Sequence, residues 1–263
     1  HFAMEASSHG IDQRRLDGVR LTASGFLNLT QDHLDYHGTM ESYRGAKLRL
    51  FEQLMPRGAT AVLNADSEAF PFFAAASVVS GQRVMSVGES GQALRLIDRA
   101  LLPDGQRLSI RADGRIFDVR LPLVGAYQAS NALVAAGLCR AAGLSFEDTF
   151  AALEKIDGAP GRLQRIGQGP RGGEAYVDYA HTPDGLETVL EALRPHVRGR
   201  LIVVFGAGGD RDRTKRPLMG RFAATLADVA IVTDDNPRSE VPAAIRAEIM
   251  AGNSGLKEIG DRR

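Results

Sequence analysis

The chain has 263 residues, 44% of them hydrophobic and 24% charged, which is enough to bury the core of one large domain or two ordinary ones. Its 32 Lys plus Arg balance 32 Asp plus Glu, so the basic surplus expected of a nucleic-acid binder is missing. One cysteine, Cys139, excludes an internal disulfide; it lies in an apolar helical run and reads as a buried small hydrophobe.

No apolar run approaches the 18 residues of a membrane span, and the first residues lack a signal-peptide layout. The expectation is a cytoplasmic protein. Both ends look cut: the chain opens on what reads as the inside of a strand and stops at Gly260-Asp261-Arg262-Arg263.

In chain order, Phe2–Ala6 reads as a strand ending at Ser7-Ser8-His9-Gly10, and Ala23–Leu29 as a second. Glu41–Leu54 shows helical spacing, and Ala59–Leu63 is a third strand. Arg107–Ile110 and Ile116–Leu121 flank Asp113-Gly114, a hairpin turn signal. A helix is expected from about Gln128 to Ala142, stopped by Gly143, and another after Ser145, with Asp148 completing a capping-box-like start.

Gly158-Ala159-Pro160-Gly161 breaks both periodicities and is the expected domain boundary, dividing 1–158 from 159–263. Beyond it Ala175–Asp178 is a strand, and Thr182-Pro183 opens a helix with a cap and a first-turn proline. Leu201–Phe205 reads as a continuous buried strand, Pro217 as a helix start, Val229–Thr233 as a strand and Pro242 as the last helix start. Apolar strands alternating with helices predict an α/β protein with parallel sheets, Rossmann-like in the second half.

Several clusters carry possible chemistry. Asn28–Gly38 (NLTQDHLDYHG) follows a strand, where open α/β sheets place ligands, and packs two histidines and two aspartates into six residues. His33 and His37 either serve a ligand or cap the next helix. Glu5 either holds a cation at a buried strand end or faces water. Lys47, among Ala46, Leu48 and Leu50, is by itself an ordinary helix lysine. Gly206-Ala-Gly-Gly-Asp-Arg sits between a strand and a helix, where its backbone can approach a ligand, but it is not the full dinucleotide fingerprint. Asp235-Asn236-Pro237-Arg238 offers an acid, an amide and a guanidinium fork, and is equally ordinary turn chemistry. No G-x-x-x-x-G-K-[ST] phosphate loop occurs.

Together these segments resemble the Mur ligases. Met4–Gly10 (MEASSHG), Asn28–Gly38, Tyr43–Lys47 (YRGAK), Gly125–Asn131 (GAYQASN) and Pro160–Arg162 look like the family's central domain. Tyr176–Pro183 (YVDYAHTP), Phe205–Asp212 (FGAGGDRD) and Asp234–Arg238 (DDNPR) look like its Rossmann-like C-terminal domain. The resemblance spans nearly the whole chain and is nearest to the ligases that add the third peptide residue.

The resemblance implies an ATP- and Mg2+-dependent amide-bond ligase that adds meso-diaminopimelate to UDP-N-acetylmuramoyl-L-alanyl-D-glutamate through an acyl phosphate, in peptidoglycan precursor synthesis. A lysine-adding homologue, or another Mur or folylpolyglutamate-type ligase, is the alternative. By the same resemblance Glu5 and His33 are magnesium ligands, and Lys47, once carbamylated, is a further one. Ser7, Gln13 and Arg15 hold the nucleotide-sugar dipeptide. Asn131, Arg162, Asp178, Tyr179 and His181 serve ATP. Arg211, Asp235, Asn236, Pro237 and Arg238 form the meso-diaminopimelate pocket, where Arg238 selects the second carboxylate through a bidentate fork. Gln128 departs from the pattern, standing where relatives commonly have Asn. The family's uridine-binding domain, its phosphate loop and its Gly-Lys-Gly-His-Glu segment have no counterpart in these residues. The chain is therefore expected to be a fragment, monomeric, acting on small molecules alone and without turnover by itself.

Overall fold

The hairpin signal at Asp113-Gly114 fixes the most regular part of the fold. Both residues have positive φ (48° and 75°), as a two-residue turn between twisted strands requires. They join β5 (Gly105–Ala112) to β6 (Arg115–Leu121) in an antiparallel ladder from Gln106–Leu121 to Ala112–Arg115. The structure, a computed structural model, describes residues 2–30 and 32–262, without the side chain of Asp35. Gln31 of the NLTQDHLDYHG motif thus lies outside the described residues.

Two compact units emerge. One comprises the residues up to Ala100, Gln106–Pro122 and Tyr127–Ile156; the other comprises Leu101–Gly105, Leu123–Ala126 and the residues from Asp157 on. The first is organised by a six-stranded sheet in the order β1 (Ala23–Phe26), β2 (Thr60–Asn64), β3 (Arg83–Gly88), β4 (Leu94–Leu102), β5, β6. β1 to β4 run parallel. β2 is buried at all five residues, as a strand covered on both faces must be.

Helix α5 (Ala126–Ala141) lies so close on one face that a Cβ on Gly137 would sit 2.5 Å from a Val62 methyl. The opposite face carries α3 (Met40–Arg49) and α4 (Phe70–Val79), where Phe73 stacks on Phe26 at 3.7 Å between ring centroids and meets Phe51 edge-on. After α3 the chain continues as a π-helical turn, Leu50–Leu54, so the expected helix Glu41–Leu54 is helical throughout but not α throughout. Ser145 caps α6 (Phe146–Leu153) as its spacing predicts, accepting from the Asp148 amide at 3.0 Å and donating to its carboxylate at 2.6 Å.

The second unit has a parallel sheet in the order β11 (Lys257–Glu258), β10 (Val229–Val232), β9 (Ile202–Phe205), and a separate antiparallel pair, β7 (Gln164–Gln168) with β8 (Glu174–Val177). Helices α7 (Pro183–Leu193), α8 (Lys215–Leu226) and α9 (Pro242–Met250) send Leu190, Met219, Ala223 and Ile249 into one core with Phe205, Ala230 and Val232. No helix among the described residues is long and apolar enough to cross a membrane.

Five expectations need correction. Phe2–Ala6 is not a strand: among the described residues no strand pairs with it, and Phe2 is 87% exposed, so an apolar run alone does not make a strand. Leu201–Phe205 is not buried throughout; Ile202 and Val204 are 52% and 59% exposed, because all three helices draw on the other face. β8 pairs with β7 rather than joining the parallel sheet. α8 starts two residues before Pro217, which sits in the first turn, where its missing N–H costs nothing. Cys139 is only partly buried, since α5 presents Leu133, Ala136 and Gly137 inward instead.

Candidate functional site

The first candidate site forms where α1 (Ser8–Asp12), α2 (Leu34–His37) and α3 meet. Thr39 caps α3, accepting from the Ser42 amide at 3.1 Å, and this rigid helix carries Lys47 in its last turn. The Lys47 ammonium lies 5.1 Å from the Tyr43 ring centroid. Burial disfavours the charged amine and pushes its pKa down; Asp32 and, less strongly, Glu5 pull against that shift. Burial, aided by Asp32, also pushes the Tyr43 hydroxyl up to about 12.

His33 precedes α2 in a left-handed conformation (φ 55°). Its backbone N–H donates to Asp32 at 2.8 Å, and its ring nitrogen lies 3.6 Å from the same carboxylate. Its ring meets His9 edge-on at 4.8 Å and Tyr43 at 5.9 Å, while His37 reaches the Ser8 hydroxyl at 3.0 Å. Glu5 is exposed in the irregular segment before α1. The structure thus brings Glu5, His33 and Lys47 into one neighbourhood and adds Asp32. Among the described residues no three His, Cys, Asp or Glu side chains gather as a metal cage.

Ser7 caps α1, accepting from the Gly10 amide at 3.1 Å. Gln13 donates to the Tyr36 hydroxyl at 3.3 Å, and that hydroxyl donates to Asp12 at 2.9 Å. Arg15 is exposed nearby. On α5, Asn131 donates to the Gln128 side chain at 3.0 Å, and Gln128 itself is buried.

In the second unit, Asp178 braces two turns at once. One carboxylate oxygen accepts from the Leu163 amide and the other from the Ala180 amide, both at 2.7 Å. This holds Arg162, whose guanidinium lies 5.3 Å from the exposed Tyr179 ring. His181 contacts the Tyr179 carbonyl at 3.0 Å, and the His181 carbonyl accepts from Lys215 at 2.7 Å.

The loops after β9 and β10 form the third cluster. Gly209 donates its N–H to the Asn236 carbonyl at 2.9 Å, and Arg238 (φ 48°) donates to the Gly209 carbonyl. A side chain at Gly209 has no room, since a Cβ would lie 1.9 Å from the Pro237 oxygen. Asn236 accepts from the Arg238 amide at 3.2 Å, and Asp235 caps the Asn236 amide at 2.7 Å. Arg211 is exposed beside them in sequence. Asp210 accepts from the Ser239 hydroxyl and amide, which hold its carboxyl below the ordinary range.

Comparisons with known proteins place the two halves of the chain in one family. Residues 1–139 match the Mur ligase middle domain, and residues 161–263 match the Mur ligase glutamate ligase domain.

The chain belongs to the Mur ligase family.

A UDP-N-acetylmuramoyl-L-alanyl-D-glutamate--2,6-diaminopimelate ligase of Caulobacter vibrioides is 69% identical over 263 residues, all of this chain and 54% of that protein. The ligase of the same name from Brucella melitensis is 53% identical over 265 residues, with the same shares. A solved structure of a ligase of that name superposes with a TM-score of 0.67 at 36% identity, over 98% of this chain and 54% of that one. The chain spans about half the length of these Mur ligase relatives.

Reading the Mur ligase motifs alone missed Asp32 as a partner of Lys47, and also Lys215 and Arg216. A signal for the last two was present. Two adjacent cations in the first turn of a helix oppose its dipole, and so call for specific partners.

Proposed function

We propose that the chain is the catalytic part of an ATP- and Mg2+-dependent amide-bond ligase that adds meso-diaminopimelate to UDP-N-acetylmuramoyl-L-alanyl-D-glutamate. The substrate carboxylate is activated as an acyl phosphate and then attacked by the amine. The protein acts as a cytoplasmic monomer on small molecules, and the division between its two parts falls at Gly158–Gly161.

Desolvated Lys47 beside Asp32, Glu5 and His33, in a Mur ligase chain, is the observation that supports this reading most directly. Only a neutral amine adds to carbon dioxide, and lowering the Lys47 pKa raises the neutral fraction. The ammonium first gives up one proton. The neutral nitrogen then bonds to the carbon of carbon dioxide as one carbon–oxygen π bond opens, and a second proton leaves the nitrogen, so that a cation becomes a carbamate anion. The donor set then fits a hard cation: a carboxylate from Glu5, an imidazole from His33 and a carbamate from Lys47. These groups supply part of a shell that water and phosphate would complete. Magnesium bound there would neutralise charge on the phosphates during transfer.

Asp178 positions Arg162 and Tyr179 for the nucleotide, and Asn131 on α5 serves its base. Ser7, Gln13 and Arg15 flank the dipeptide. Arg211 and Asp235–Arg238 receive the diamino acid. Arg238 spends one of its five N–H donors on Gly209, leaving others for a carboxylate.

The test places these 263 residues in the full-length frame of the Caulobacter vibrioides relative, in place of its matching half. Lys47→Ala is expected to lower kcat by about 10²- to 10³-fold, the scale of losing one group that stabilises transition-state charge. It should also weaken the dependence on magnesium and on added bicarbonate. Unchanged turnover with unchanged magnesium dependence would remove Lys47, and this reading, from consideration.

A further inference from the structure

Beneath the two loops of the diamino-acid cluster sits Arg216, in the first turn of α8, with a side chain that is 0% exposed. Its guanidinium donates to both oxygens of Glu240 at 2.8 Å, to Glu248 at 2.7 Å and to the Gly208 carbonyl at 3.3 Å. Its Nε is buried and has no partner among the described residues. Glu240 also accepts from the Asp210 amide at 2.6 Å. One buried fork therefore binds both loops at once: 206–212 through Gly208 and, by way of Glu240, Asp210; and 234–240 through Glu240 itself.

The exposed layer above depends on the same geometry. Arg238 donates to Gly209, the residue between the two that the fork controls, and Asp210 in turn accepts from Ser239. The strength of the link shows in the acid partner: the Arg216 hydrogen bonds hold the Glu240 carboxyl down at about 2. A buried cation at a helix N-terminus is costly by itself, and a hydrophobic residue would fill the space at lower cost. Its fork geometry, rather than its bulk, is what the position uses.

We propose that Arg216 is a positioning residue for the amino-acid pocket: through Glu240 and Gly208 it sets the approach of the two loops, and with it the orientation of Arg238. This rests on the functional reading above, in which Arg238 meets a carboxylate of the diamino acid.

The experiment uses the full-length frame and measures KM separately for meso-diaminopimelate, ATP and the nucleotide-sugar dipeptide. Arg216→Lys keeps the charge and loses the fork. It should raise the KM for meso-diaminopimelate by about tenfold, the order expected when a binding group is misplaced by part of an ångström, and leave the other two within about twofold. Glu240→Gln should act in the same direction and serves as the test if Arg216→Lys does not fold. Combined with Arg238→Ala, either change should add nothing to the KM for meso-diaminopimelate beyond that of Arg238→Ala alone, because each acts through Arg238. A uniform rise in all three KM values, no rise at all, or multiplicative effects in the double variant would overturn the positioning role while leaving the functional reading standing. If the unsubstituted frame does not respond to meso-diaminopimelate, both fall together.

Discussion

The Lys47 site and the paired loops at 206–212 and 234–240 are built in opposite ways. Around Lys47 a single cation is desolvated on a capped helix, while Glu5 sits exposed on an irregular segment and His33 in a left-handed turn. In the loops Gly208, Gly209, Asp210, Ser239 and Glu240 are tied by internal hydrogen bonds, and the tie runs down to a fully buried arginine. The first arrangement suits a site finished by its ligands, since the anions and cation that complete it also order its parts. The second suits recognition of one shape, because a fork held before binding loses less freedom when a carboxylate arrives.

The largest effect that would sharpen this contrast is at Arg238. Arg238→Lys keeps the charge and loses the fork, and should raise the KM for meso-diaminopimelate roughly tenfold to a hundredfold, as for loss of a charged hydrogen bond. An unchanged KM would mean that the loops are ordered for some other purpose.

Acid should separate the two regions next. The folded pKa of Glu240 is depressed to about 2 from an ordinary 4.5, so its contribution to stability is fully present above 4.5 and is lost as pH falls toward 2. Glu248 and Asp210 are shifted in the same direction. Unfolding of the second unit, followed by amide exchange of Gly209 and Asp210, should therefore become easier through that window. Glu240→Gln should flatten the pH dependence. No difference from wild type would show that the network adds nothing to stability.

The smallest effect concerns the scaffold of the first site. Thr39→Ala removes the α3 cap and should cost about 1 kcal/mol in urea unfolding, with the Lys47 environment otherwise kept. A loss several times larger would mean that the region is held by that helix end more than by its core.

The same contrast explains what the sequence makes legible. Local signals worked where local physics decides: Asp113-Gly114, the Ser145 cap, and Thr182-Pro183 at the start of α7 all read correctly. The family motifs led to Glu5, His33 and Lys47, which do share one neighbourhood. What failed depended on neighbours that a single strand does not encode. Phe2–Ala6 is apolar like a strand but has no strand partner among the described residues, and β9 exposes Ile202 and Val204 because three helices chose the other face. Two adjacent cations at the start of α8 signal only that partners are needed, and the folded loops are what reveal Glu240 and Glu248 beside Arg216.

The product formed separates ligase from non-ligase, and diaminopimelate from lysine, in one measurement. The full-length frame carrying these 263 residues is given ATP, magnesium and UDP-N-acetylmuramoyl-L-alanyl-D-glutamate, with either meso-diaminopimelate or L-lysine, and the nucleotide-linked tripeptide is measured by mass spectrometry. Tripeptide and matching ADP release are expected with meso-diaminopimelate, and almost none with L-lysine. Equal product from both amino acids would contradict the role given to Arg238, and no product from either would contradict the ligase assignment itself.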